Sequence, residues 1–171
     1  MNSLTFRYAQ EQDSNLILQF IKELAEYEKM LDKVVATPEL LKEWIFKNKK
    51  AEVIFAMENG KEVGFALFFY NFSTFLGRAG IYLEDLFVKP DYRKKGYGKA
   101  LLKKLAQIAL ERGCGRLEWA CLDWNKPSID FYLSLSAKPM TEWTIYRLQG
   151  QDLTNFAKLN AKIHPTKRIL I

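Results

Sequence analysis

The chain has 171 residues, 49% of them hydrophobic and 27% charged, with a formal net charge of +6. This length suits a single domain, residues 1–171, with a real core, and the composition excludes a disordered or low-complexity chain. The basic excess admits an anionic partner (nucleic acid, anionic lipid or a phosphorylated small molecule) without choosing among them.

Residues 4–8 alternate and read as a first strand. Asp13 or Ser14 N-caps a helix running to about Lys29, with Leu16, Ile17, Phe20, Ile21, Leu24 and Tyr27 on one face. Thr37-Pro38 starts a second helix with Leu40, Leu41, Trp44 and Ile45 on its buried side. Two apolar runs flanking Asn59-Gly60 read as a hairpin, because that pair suits a tight turn. Residues 81–88 form the next strand. A helix from about Gly98 to Arg112 buries Leu101, Leu102, Leu105, Ile108 and Ala109, and Gly113 and Gly115 end it. Residues 116–123 read as a strand, 125–135 as a short helix, 141–149 as a late strand and 151–161 as a last helix. Residues 161–171 are a tail. The order β-α-α-β-β-β-α-β-α-β predicts a mixed α+β fold in which an antiparallel region leads into a β-α-β unit.

Two cysteines, Cys114 and Cys121, have neither zinc-finger spacing nor a disulfide framework, and the one histidine, His164, lies in the last eight residues. Histidine catalysis and a metal site are therefore not expected. The N-terminus lacks the apolar region of a signal peptide, and runs such as GFALFFYNF are too short to span a bilayer. A cytoplasmic protein with no membrane partner is the expectation.

The chemistry concentrates in YLEDLFVKPDYRKKGYGKALL, residues 82–102. A strand carrying Glu84 and Asp85 runs into a basic turn, Arg93-Lys94-Lys95-Gly96-Tyr97-Gly98-Lys99, that opens a helix. Unpaired N–H groups, the positive end of the helix dipole and glycines that let an anion approach together make a phosphate or pyrophosphate site. The alternative is a plain helix cap with a solvated basic face. Two familiar phosphate loops fail. A Walker A loop needs Gly where Arg93 stands and Ser or Thr where Ala100 stands, and the dinucleotide fingerprint puts Leu101 at its third glycine.

Read as R/Q-x-x-G-x-G/A between a strand and a helix, this turn resembles the acetyl-coenzyme A loop of the GNAT N-acetyltransferases. IKELAEYEKM, YLEDLFVKPDYR, WNKPSIDFY and the late Glu142-Trp143 resemble, more narrowly, the diamine (spermidine/spermine) N1-acetyltransferase group with its thialysine branch. The resemblance spans roughly Leu4 to Ala161. It implies a mostly antiparallel central sheet with a splayed parallel pair, flanking helices, acetyl-coenzyme A as co-substrate, a small cationic amine as substrate and a homodimer. It further implies that Leu86, Phe87 and Val88 offer backbone to the pantetheine arm. Lys94 to Lys99 would hold the pyrophosphate, with Arg93 starting the loop. Asn125, Pro127 and Ser128 would flank the coenzyme. Tyr132, itself beside the coenzyme, matches the catalytic tyrosine. Tyr27 and Glu28, with Glu142 further on, match the substrate side. The chain departs from the pattern at Lys94-Lys95, where relatives often carry small or apolar residues, and after Tyr132, where LSLSAK lacks a common glycine.

An amine attacks a thioester only when unprotonated, and an alkylamine with a pKa near 10.4 is mostly ammonium at neutral pH. Glu84 is the candidate base, directly or through water. Period-2 alternation puts it on the face of Tyr82, Leu86 and Val88, with Asp85 opposite. The competing role for Glu84 is an ion pair, since a charge in an apolar strand is costly unless paired. A phenol such as Tyr132 can donate a proton to the leaving thiolate, or it packs against Phe131 and Leu135. A nucleic-acid-binding module using Lys99, Lys103 and Lys104, a coenzyme binder without turnover, and a transferase for another amine (a protein N-terminus or an antibiotic) are the alternatives. No nucleic-acid-binding signature is present.

Overall fold

A computed structural model describes residues 4–159. The tail, His164 and the expected end of the last helix lie outside the described residues. The chain divides into two compact units, Met1–Leu122 and Asp123–Ile171.

The first unit holds a five-stranded sheet in the order β1-β2-β3-β4-β5. The strands are β1 (Leu4–Tyr8), β2 (Glu52–Glu58), β3 (Lys61–Ser73), β4 (Arg78–Val88) and β5 (Leu117–Trp119). β1 to β4 pair antiparallel, and β4 pairs with β5 in parallel. Asn59 and Gly60 both take left-handed backbone, with φ of 51° and 76°, as the expected tight turn between β2 and β3 requires.

Helix α1 (Ser14–Tyr27) covers one face of the sheet. Its Ile17, Phe20 and Leu24 pack with Phe55, Phe65 and Phe87. The Phe20 ring lies 5.1 Å from Phe65, 5.7 Å from Phe55 and 6.5 Å from Phe87, within the range of favourable aromatic contacts. On the other face lies α3 (Tyr97–Glu111), burying Leu101, Leu102, Leu105, Ile108 and Ala109. α3 ends on Gly113, whose φ of 66° suits glycine. There Cys114 N–H bonds the Ala109 carbonyl, and Gly113 N–H bonds that of Leu110.

Two elements differ from their sequence patterns. The second helix starts as expected, with the Thr37 hydroxyl accepting from Leu40 N–H, but α2 (Pro38–Leu41) widens at once into a π-helical stretch, Lys42–Lys47. The wider turn, seen in the Asn48 N–H bond to the Glu43 carbonyl, changes the buried side. Ile45 is buried with Leu41 and Phe46 against the core, while Leu40 and Trp44 are about half exposed, at 45% and 51%. The strand expected over 116–123 spans only Leu117–Trp119.

The second unit contains α4 (Lys126–Ser134) and α5 (Gly150–Lys158). The expected strand at 141–149 is not formed: these residues are turn and irregular backbone. β-branched and aromatic side chains make a strand only where a neighbouring edge pairs with it.

Candidate active site

β4 and β5 stay together for three residue pairs, Ile81–Leu117, Tyr82–Glu118 and Leu83–Trp119. β4 then continues to Val88 beside β3, and among the described residues no strand pairs with its other edge. Phe87 and Val88 are buried and Leu86 is half-buried, so this segment can offer a ligand its backbone rather than its side chains. Unpaired N–H and C=O groups along such an edge accept an extended partner as an added strand.

The parting coincides with a β-bulge. Leu67 pairs with Asp85, the next residue Phe68 pairs with Leu83, and Glu84 is left without a partner. The extra residue exchanges the faces of everything after it. Tyr82, paired with Phe69, shares the α1 face with Asp85 and Phe87, while Leu86 and Val88 share the α3 face with Leu83. The sequence expectation that Glu84 lines up with Tyr82, Leu86 and Val88 is therefore corrected. Strict alternation fails at the bulge, and Asp85 takes the position on the α1 side.

That position gives Asp85 an unusual carboxyl. Burial, and then the charges of Glu84 and Glu28, push its pKa from 3.8 up to about 7. Glu28, just past the end of α1, is itself raised by burial. Glu84 projects from the bulge into solvent. Asp85 has no ion-pair partner among the described residues, so the electrostatic demand of this cluster is for a cation.

Tyr27 lies on the same side but already faces a cation. The Arg93 guanidinium stands 5.0 Å from its ring centroid and 5.1 Å from that of Phe87, and Arg93 Nε donates to the Val88 carbonyl at 2.9 Å. Arg93 thus fastens the start of the basic turn to the end of β4. Beyond it Lys94 and Gly96 take left-handed backbone, φ 62° and 84°, and Gly96 caps α3. The first N–H groups of α3, from Tyr97 to Lys99, have no intrahelical acceptor. A methyl added at Gly98 would meet only Leu86 Cδ2, at an ordinary 3.9 Å. Packing does not demand that glycine, whereas close approach of an anion explains it. These features fit a pyrophosphate. Lys94 and Lys99 are exposed and make no ion pair among the described residues, while Lys95 bonds Glu58 at 3.3 Å.

In the second unit, Asn125 caps α4 by accepting from Ser128 N–H, and Pro127 stands in the first turn. Tyr132 is half-buried on α4 with its ring 5.4 Å from that of Phe131. Glu142 is exposed in the following turn. The glycine missing from LSLSAK is replaced in kind: Ser136 takes φ 63°, and Ala137 and Ser136 N–H groups bond the carbonyls of Tyr132 and Leu133.

A sheet whose parallel pair splays at a bulge, next to a helix that opens on a basic glycine turn, defines an acyl-transfer scaffold. The model of the Acetyltransferase (GNAT) family matches residues 18–136, more than half of the chain, and the chain belongs to that family. It is an acetyltransferase, with the mixed sheet and flanking helices expected from its sequence. Thialysine N-epsilon-acetyltransferase of Sus scrofa is 39% identical over 169 residues, covering 92% of this chain and 99% of that protein. L-ornithine N5-acetyltransferase of Arabidopsis thaliana is 45% identical over 97 residues, covering 57% of this chain and 42% of that protein. A solved structure of an integron cassette protein from V. cholerae superimposes with a TM-score of 0.76 at 31% identity, covering 91% of this chain and 98% of that one.

Proposed function

We propose that this enzyme transfers the acetyl group of acetyl-coenzyme A to a primary amine of a small cationic substrate, a diamine, a polyamine or a lysine-like amino acid such as thialysine. The observation that carries the reading is the half-buried carboxyl of Asp85, flanked by Glu84 and Glu28 beside the open edge of β4. Such a cluster calls for a cation, and two of the relatives named above are acetyltransferases of thialysine at its N-epsilon and of L-ornithine at its N5.

In this reading the amine and the thioester react in a ternary complex. Leu86, Phe87 and Val88 hold the pantetheine arm along the β4 edge, and the Lys94 to Lys99 turn holds the pyrophosphate on the N-terminus of α3. Asn125, Pro127 and Ser128 flank the coenzyme. Glu84, with Tyr27, Glu28 and Glu142, meets the incoming ammonium. The Glu84–Asp85 pair takes its proton, and a carboxyl poised near 7 accepts one at neutral pH far better than an ordinary aspartate. The free amine adds to the thioester carbonyl. Collapse of the tetrahedral adduct breaks the C–S bond, Tyr132 protonates the departing thiolate, and the nitrogen of the adduct gives up its second proton to the phenolate that this leaves.

We place the enzyme in the cytoplasm as a single 1–171 domain that pairs as a homodimer. The exposed Trp143, Ile145, Tyr146 and Phe156 of the second unit support such an interface. Among the described residues no helix is long and apolar enough to cross a membrane. The test is thiol release from acetyl-coenzyme A with spermidine, spermine, short diamines and thialysine. Turnover with at least one is expected, and release with none refutes the reading. Salt-sensitive binding to nucleic acid without affinity for coenzyme A would instead favour the basic α3 face as a nucleic-acid site.

A further inference from the structure

We infer that Glu58, a residue of β2 with no place in the acyl-transfer chemistry, positions the coenzyme-binding turn by holding Tyr97 and Lys95 from below. The inference rests on the reading that this turn binds coenzyme A.

Ala56 pairs with Gly64 on the α3 face of the sheet, and Glu58, two residues on, ends β2. The residue is only 5% exposed. A carboxylate so deeply buried is costly unless its oxygens are satisfied. The Tyr97 hydroxyl donates to Glu58 Oε1, and Lys95 Nζ reaches the same oxygen at 3.3 Å. The Lys95 ammonium also lies 4.9 Å from the Tyr92 ring centroid and 5.9 Å from that of Tyr97. Tyr97 is itself buried, at 8% exposure, and the bond to Glu58 raises its phenol pKa. Two side chains of the 92–97 segment, Tyr97 and Lys95, therefore converge on one acid supplied by a strand far away in sequence, with the Tyr92 ring against the Lys95 ammonium.

The turn needs such an anchor. Lys94 and Gly96 both hold left-handed backbone, and Lys94 does so against the preference of a residue with a Cβ. A turn released from its anchor populates other conformations, and apparent affinity falls with the fraction that remains competent. Lys95, neutralised by Glu58, serves the anion through the shape of the turn and not as a bare charge. The fixed points are thus Arg93 on Val88 at one end and Tyr97 on Glu58 at the other, with the free N–H groups of α3 beside them.

The experiment is calorimetric titration of the full chain with coenzyme A, paired with steady-state kinetics. Tyr97→Phe removes only the hydroxyl and leaves every charge in place, whereas Glu58→Gln keeps the shape and removes the charge. Each is expected to weaken coenzyme A binding about tenfold, the scale of one hydrogen bond to a charged group. The double variant should be little weaker than either single one, because both break the same link. The KM for acetyl-coenzyme A rises in step, while kcat at saturating coenzyme and the KM for the amine hold. Unchanged affinity in Tyr97→Phe overturns the inference, as does tighter binding in Glu58→Gln, which would make the released Lys95 a direct anion contact. A loss confined to kcat overturns it too. Should Glu58→Gln fail to fold, Tyr97→Phe decides alone. If the unaltered chain binds no coenzyme A, the coenzyme reading falls and takes this inference with it. Tight binding by the unaltered chain with no change in the variants removes this inference only.

Discussion

Replacing Asp85 by Asn should make the free protein more stable and the enzyme worse. The Asp85 carboxyl ionises at about 7 in the folded chain against a reference of 3.8. Between those values the folded state binds more protons than the unfolded one, so this group lowers stability as pH rises. The loss accumulates at about 1.4 kcal/mol per pH unit, starting near pH 4 and levelling off above pH 7, for a total of about 4 kcal/mol. Asn is close in size and cannot ionise. Urea denaturation of both proteins at pH 5, 6, 7 and 8 reads the difference, with every other titrating group nearly common to the pair. The advantage of Asp85→Asn should be about 3 kcal/mol larger at pH 8 than at pH 5. Turnover of a cationic amine should fall, because binding a cation is what offsets the cost of this carboxylate. Parallel stability curves for the two proteins would refute both the raised pKa and the cation-binding argument built on it.

Tyr132→Phe should reduce turnover by about a hundredfold or more while leaving coenzyme A affinity largely in place, the signature of a lost general acid. Unchanged turnover in a rapid-quench or steady-state assay would remove the acid assignment. Ser136→Gly should stabilise the chain by about 1 kcal/mol in thermal denaturation, because Ser136 holds a left-handed φ of 63° that costs nothing extra to glycine. No gain in Tm would mean that the serine side chain offsets its backbone cost. Phe20→Ala should destabilise by about 3–5 kcal/mol in urea titration, since Phe20 is fully buried among Phe55, Phe65 and Phe87. A smaller loss would place the centre of the core elsewhere.

The local elements were readable because their signals are local. The Asn59-Gly60 turn, the amphipathic face of α1 and the glycine turn opening α3 depend on residues a few positions apart, and the structure has all three. The strand read at 141–149 failed for the opposite reason: strand formation needs a partner edge that no local pattern supplies. The π-helical widening after α2 exchanged Trp44 for Phe46 on the buried side, a shift of register that hydrophobic spacing does not encode.

The amino-acid sequence by itself determined the family resemblance, the basic glycine turn and the presence of two adjacent acids before it. Only the tertiary structure decided what those acids face. One unpaired residue at Glu84 reverses the alternation of β4 and carries Asp85 to the α1 side, where burial, and then the charges of Glu84 and Glu28, raise its pKa. A bulge depends on how a strand pairs with its neighbour, and so does the meeting of Glu58 with Tyr97 across 39 residues of sequence. Period and spacing describe one segment at a time, whereas charge, burial and proton affinity depend on which segments come together.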